Sequence, residues 1–318
     1  MKHRVNKELL PMLEAFPEVQ FRPEAMPKIR EILAQAAREA KALSPGVVEE
    51  SVSLTDEIIE GPDASPLKLR IYREKSLCET APALLWIHGG GYIIGSIDDD
   101  DDLCVRIAKT ASCVVVSVDY RLAPENPYPA PIEDCYAALR WMADHVKELN
   151  VDCNRIGVAG LSAGGGLTAA LTLLARDRKY PNICFQMPLY PMIDDRNNSP
   201  STNEVKEGFV WNQKTNEMAW KMYLGEIHGT DQVPAYAAAA RAEDYSGLPY
   251  TYTCIGQLDP FRDETLTYVT KLAQAGVDVE FHLYPGCYHS YEGIAPEAKI
   301  SVRTVNEYIN AVKEAFEK

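Results

Sequence analysis

Apolar positions along the chain follow two rhythms. Residues 28–42 carry Ile29, Ile32, Leu33, Ala36, Ala37 and Ala40 at the three-to-four spacing of a helix with one apolar face, and Ser44-Pro45-Gly46 ends it. The first 45 residues therefore read as helical. Residues 51–59 and 67–72 are β-rich and flank Gly61-Pro62-Asp63, the pattern of an antiparallel pair joined by a turn. From residue 83 the rhythm changes. Short apolar runs at 83–87, 113–118, 156–159, 183–187, 250–255 and 279–284 alternate with amphipathic, helix-length segments at 102–110, 132–145, 163–176, 263–275 and 297–316. This alternation predicts an α/β fold built on a mostly parallel sheet with helices on both faces. It breaks once, at 190–236, a stretch rich in Asn, Trp, Tyr and Met with one helix expected at 213–223 and no strand of the core type. An insertion over the edge or mouth of the sheet fits that break.

Composition narrows the class of partner. With 46% hydrophobic and 25% charged residues the chain is an ordinary globular mixture able to bury a full core. The net charge of −14, with no Lys/Arg cluster to offset it locally, repels phosphate backbones and anionic lipid, so neither nucleic acid nor membrane is an expected partner. A small molecule is. Lys7, Glu8 and Glu14 interrupt the apolar stretch a secretory signal would need, and runs such as 83–87, 113–116 and 235–240 are too short to cross a bilayer, so a cytoplasmic location is expected. Eight cysteines without Cys-x-x-Cys spacing are read as reduced thiols, several buried as small hydrophobes, and not as a metal or disulfide framework.

Two glycine-rich turns carry the chemistry. Gly160-Leu161-Ser162-Ala163-Gly164 stands between a strand and a helix, where glycines permit a strained turn that lifts the serine hydroxyl clear of the backbone. His88-Gly89-Gly90-Gly91-Tyr92 also follows a strand directly. Three successive glycines cost chain entropy and imply a close backbone approach, which acyl transfer needs because N–H groups must face the oxyanion of the tetrahedral intermediate. Gly90 and Gly91, with Ala163 after the serine, can supply three donors, and His88 is read as shaping the loop. The phosphate-binding rival lacks a Lys-Ser/Thr ending and a Gly-x-Gly-x-x-Gly spacing.

An α/β-hydrolase needs an acid and then a histidine after the serine in the chain. Of the three later histidines, His228 belongs to the insertion and His282 lies within an expected strand, whereas His289 follows a strand end and is the expected base. Asp259, just past the strand at 250–255, is the expected orienting acid. Its neighbours Asp263 and Glu264 sit in the first turn of the next helix, where acids serve the helix dipole.

Taken together, His88-Gly89-Gly90-Gly91, Tyr120-Arg121-Leu122-Ala123-Pro124-Glu125, Gly160-x-Ser162-Ala163-Gly164-Gly165, Asp259-Pro260-Phe261-Arg262-Asp263-Glu264 and His289 resemble the bacterial hormone-sensitive-lipase-like carboxylesterases. The likeness runs from about residue 83 to the C-terminus. It implies an α/β-hydrolase fold in which residues 1–45 and 190–236 form a helical cap over a catalytic domain of residues 46–189 and 237–318. It also implies cofactor-free hydrolysis of short- to medium-chain acyl esters. Two positions depart from the family: Leu161 replaces an aspartate before the serine, and Ser290-Tyr291 replaces Gly-Phe after the histidine. The side chains of Ser290 and Tyr291 either alter the alcohol-side pocket or face solvent, and solvent is the expectation; the acidic run at 98–102 reads as a solvated loop and helix start, with a weak cation site as the alternative. Phe209, Trp211, Trp220 and Tyr223 are candidates either for the pocket wall or for packing the cap. The same machinery would serve an amidase or deacetylase of small acylated molecules, and the same fold a catalytically silent ligand receptor. The oligomeric state, a homo-oligomer included, is left open.

Overall fold

A computed structural model describes residues 2–17, 21–43 and 51–318; the expected helix stop at Ser44-Pro45-Gly46 and the 45/46 domain border lie outside the described residues. In chain order the elements are α1 (Leu10–Ala15), α2 (Met26–Leu43), β1 (Val52–Glu60), β2 (Pro66–Glu74), β3 (Ala81–Ile87), α3 (Asp101–Thr110), β4 (Val114–Val118), α4 (Ala130–Asp144), β5 (Val151–Leu161), α5 (Ala163–Arg178), β6 (Phe185–Leu189), α6 (Pro200–Glu204), α7 (Gln213–Leu224), β7 (Tyr250–Gly256), α8 (Arg262–Gln274), β8 (Val279–Tyr284), α9 (Tyr291–Ile294) and α10 (Lys299–Glu317).

The eight strands form one sheet in the order β1-β2-β4-β3-β5-β6-β7-β8. β1 and β2 pair antiparallel, β2 runs antiparallel to β4, and the rest is parallel. Parallel strands joined by right-handed crossovers have both faces covered, which is why β3, β4 and β6 are buried at every position and apolar apart from Ser117 and Gln186. β1, at the edge, is mostly exposed and carries Asp56, Glu57 and Glu60, charges that discourage further strand pairing. α3 and α10 pack together on one face, and α4, α5 and α8 cover the other. α5 is apolar or small all round and buried from Ala163 to Ala175, the profile of a central core helix.

From β3 the chain steps to β4 on one side, then crosses back to β5 on the other side of β3. The carboxyl ends of β3 and β5 therefore flank a topological switch point, where outgoing loops diverge and leave a crevice. Both glycine-rich turns leave from these two ends, with Ile87 paired to Gly160 across the strands.

The 120–125 stretch braces this crevice. Asp134 on α4 is fully buried and accepts from the Arg121 backbone N–H at 2.9 Å, from Nε at 2.9 Å and from Nη2 at 2.7 Å. Removing the carboxylate strands a partly buried guanidinium and a backbone donor. Asp134→Ala is expected to lower the unfolding free energy by about 3 kcal/mol, measured from urea midpoints with an unchanged slope; a loss below about 0.5 kcal/mol, typical of an exposed pair, would contradict this bracing role.

Candidate active site

The turn after β5 is built under strain. Ser162 holds φ 54° and ψ −112°, a conformation disfavoured for a residue with a side chain. Backbone bonds hold it there: its N–H donates to the Leu189 carbonyl at 2.9 Å, and its own carbonyl accepts from Gly166 at 2.8 Å and Met192 at 2.9 Å. Gly164 is obligatory, since a Cβ on it would stand 2.0 Å from the Ile87 carbonyl oxygen of β3. The result is a hydroxyl perched at the start of α5, where free N–H groups and the positive end of the helix dipole gather.

The structure brings the three widely separated residues together. Ser162 Oγ lies 2.8 Å from His289 Nε2, and His289 Nδ1 lies 2.7 Å from Asp259 Oδ2. The other Asp259 oxygen accepts from the Phe261 N–H at 2.8 Å. The Ser162, His289 and Asp259 side chains are all buried, and the imidazole edge meets the rings of Tyr190 and Phe261 at centroid distances of 5.1 and 4.9 Å. Asp263 instead accepts from the Ser201 N–H and pairs with Arg262, while Glu264 accepts from the Ile193 N–H. His282 pairs with Glu280 on β8, and His228 lies beside Glu217 of α7.

The loop after β3 faces the serine. Gly90, Gly91 and Tyr92 all have positive φ, and the Gly90 carbonyl accepts from both Ile93 and Ile94 in a tight turn. Among the described residues, the N–H groups of Gly90, Gly91 and Ala163 have no backbone acceptor in the loops, which leaves them available for a ligand. Gly89 lines the same cavity, and Gly160 packs against the Ile87 carbonyl. His88 is buried and stacked on Tyr120 with ring centroids 4.2 Å apart; its Nδ1 lies 2.8 Å from the Gly89 carbonyl, and burial lowers its basicity.

The cavity over Ser162 has a volume of about 530 Å³ and is walled by Leu161, Trp211 and Ser290, with Asp99, Asp100 and Arg30 on its polar side. Arg30, on α2, escaped sequence reasoning. Its guanidinium donates to the Ile93 carbonyl at 2.7 Å, the Ala123 carbonyl at 2.5 Å and Glu125 at 2.8 Å, so an N-terminal helix grips the glycine loop. A lone arginine on a helix's polar face gives no sign that its partners are backbone carbonyls 63 and 93 residues away.

Two expectations need correction. The acidic run is solvated only in part: Asp98 and Asp101 bind Arg70, Asp101 also accepts from the Tyr72 hydroxyl at 2.7 Å, and Asp100 accepts from Trp86 Nε1 at 2.8 Å. Strands β2 and β3 bring these donors, and nothing within the run announces them. Tyr291 does not face solvent either; it is buried and its hydroxyl bonds Thr304, while Ser290 borders the catalytic cavity. Trp220 and Tyr223 pack on Tyr92 within the core, whereas Trp211 reaches the cavity.

Burial, against the opposing bond from Trp86, pushes the Asp100 carboxyl up to about 7, and Asp99 and Asp101 add to the rise. An acid whose pKa is higher folded than unfolded contributes stability at low pH and loses it as pH climbs through the folded value. Asp100→Asn is therefore expected to have a thermal midpoint that gains on the wild type between pH 5 and pH 8; a constant difference across that range would exclude this ionisation as the source.

A strained serine turn, a buried Ser-His-Asp relay and unpaired amides at the switch point of a parallel sheet define an α/β-type serine hydrolase site. Comparison with known proteins agrees. Residues 84–293 match the family described as alpha/beta hydrolase fold. The esterase LipI of Mycobacterium tuberculosis is 36% identical over 314 residues, covering 98% of this chain and 95% of that protein. The carboxylesterase NlhH of the same species is 32% identical, covering 98% and 96%. Among solved structures, a bacterial heroin esterase superposes with a TM-score of 0.93 at 36% identity, covering 99% of this chain and 98% of the other. The chain belongs to the α/β-hydrolase family, in its hormone-sensitive-lipase-like branch.

Proposed function

We propose that this chain, a carboxylic ester hydrolase by its family, cleaves short- to medium-chain acyl esters of small alcohols through an acyl-enzyme on Ser162. The observation that carries the reading is the continuous relay from Ser162 Oγ to His289 to Asp259, at 2.8 and 2.7 Å, in a buried site. His289 Nε2 takes the hydroxyl proton as Oγ attacks the ester carbonyl. Asp259 accepts from Nδ1–H, fixes that tautomer and stabilises the imidazolium. The N–H groups of Gly90, Gly91 and Ala163 hold the oxyanion. Collapse expels the alcohol, which leaves with the proton from His289. Water then attacks the acyl-enzyme by the same route and releases the carboxylic acid.

The cap in this reading comprises residues 1–45 and 190–236, over a body of residues 46–189 and 237–318. It is supported by the Phe21–Trp211 ring contact at 6.1 Å and by cavity walls drawn from both cap segments. A small-molecule substrate in the cytoplasm is consistent with eight unpaired cysteines, and among the described residues no helix is long and apolar enough to cross a membrane.

The test is a pre-steady-state experiment with p-nitrophenyl acetate and butyrate, run beside labelling by a fluorophosphonate probe. A nitrophenolate burst and one phosphonylated serine at position 162 are the expected results. A failure to label would favour the silent receptor, and faster turnover of a matched acetyl amide than of the ester would favour the amidase.

A further inference from the structure

Two cavities meet at Trp211. The catalytic cavity, about 530 Å³, contains Ser162 and His289. A second, of about 350 Å³ and mostly apolar, lies between the N-terminal segment and the 207–218 region, with Phe16, Phe21, Phe209 and Met218 on its walls beside Arg22, Glu207 and Lys214. Leu33, Ile94, Val210 and Trp211 line both. The indole is the largest of these four shared side chains, and it stands directly against the glycine loop: a Cβ on Gly91 would be 2.3 Å from its Cη2. Its centroid is 6.3 Å from that of the His289 ring on the catalytic side and 6.1 Å from that of Phe21 on the other.

The ring is also tethered. Nε1 donates to Asn216 Oδ1 at 3.1 Å, Asn216 Nδ2 donates to Asn197 Oδ1 at 2.9 Å, and Asn197 Nδ2 donates to the Gln213 carbonyl at 3.0 Å. Asn216 is fully buried, so releasing the indole would leave a buried amide oxygen without its donor. Held by these bonds, Trp211 stands on the shared wall of the catalytic cavity and the second cavity.

We infer that Trp211 is the specificity-determining residue of this enzyme, limiting the length of the ester's unbranched aliphatic arm by closing the catalytic cavity off from the apolar chamber beneath the N-terminal segment. The inference rests on the ester-hydrolase reading. The shared chemistry is an alkyl chain, which an ester carries on its acyl or its alcohol side. Removing the indole joins the two cavities, and each methylene that then enters apolar surroundings favours the longer substrate.

The experiment measures kcat/KM in two series, p-nitrophenyl esters from acetate to dodecanoate and alkyl acetates from ethyl to octyl, for the wild type, Trp211→Ala and Trp211→Phe. The wild type is expected to fall from C4 to C8. In Trp211→Ala the C8-to-C4 ratio should rise by about tenfold or more in one of the series, and the series that responds identifies the arm. Trp211→Phe, which keeps a ring but loses the bond to Asn216, should retain a ratio near that of the wild type. Because each ratio is internal to one variant, a general loss of turnover does not obscure it. A wild type equally active on C8 and C4, or ratios unmoved by Trp211→Ala in both series, overturns the partition. A wild type that hydrolyses neither series overturns the ester-hydrolase reading itself.

Discussion

Ser162→Ala is expected to lower kcat for p-nitrophenyl butyrate by a factor on the order of 10⁶, with no loss of folded structure. The bonds that shape the turn are made by the backbone of residue 162, through its N–H to Leu189 and its carbonyl to Gly166 and Met192, and alanine keeps all three. Alanine also bears a Cβ and tolerates positive φ no worse than serine, so the strain is unchanged. What disappears is the hydroxyl oxygen 2.8 Å from His289 Nε2, the atom that attacks the carbonyl in the proposed mechanism. Residual hydrolysis, on the order of 10³ above water, would come from the amides of Gly90, Gly91 and Ala163. Circular dichroism should overlay with the wild type, fluorophosphonate labelling should vanish, and retention of more than a hundredth of kcat would sink the assignment of the nucleophile.

Asp259→Asn should cost about 10⁴ in kcat, and the hydrogen bonds around it explain why an isosteric change is so damaging. Both carboxylate oxygens accept from nitrogen donors, Oδ2 facing His289 Nδ1 at 2.7 Å and Oδ1 facing the Phe261 N–H at 2.8 Å. An amide has only one acceptor. If its NH₂ turns toward Phe261, two donors confront each other in a buried site. If it turns toward His289, the imidazole must present a bare Nδ1, which moves the ring proton to Nε2 and leaves no base facing the serine. The tautomer can be read from imidazole nitrogen shifts by NMR, alongside kcat. Full activity in Asp259→Asn would show that another group orients His289; Asp263 and Glu264 are the nearest acids in the chain, and both are already committed elsewhere.

The sheet and the relay were legible because their signals are local. An apolar run followed by a glycine or an Asp-Pro marks a strand end, and in a parallel sheet all such ends lie on one edge. Ser162, Asp259 and His289 each follow a strand end within eight residues, so their convergence follows from topology without any contact being known in advance. The details missed share the opposite property. Arg30 acts on carbonyls of other segments, Asp100 is fixed by an indole on β3, and Tyr291 turns inward onto Thr304 of α10. None of these depends on a residue's own sequence neighbourhood. The acidic run is the sharpest instance: five like charges read as a solvated loop, while Arg70, Tyr72 and Trp86 arrive from two strands to bind three of them.

Arg30 ties α2 to the loops beside the serine. Its three bonds reach the 88–95 loop and the 120–125 stretch together, so α2 cannot lift away without breaking charge-assisted bonds or dragging the Ile93 carbonyl along with it. Ile93 is only two residues from Gly91, whose N–H is one of the proposed oxyanion donors. Under the proposed mechanism, a displacement of α2 would therefore disturb the oxyanion donors as well as the entrance to the cavity.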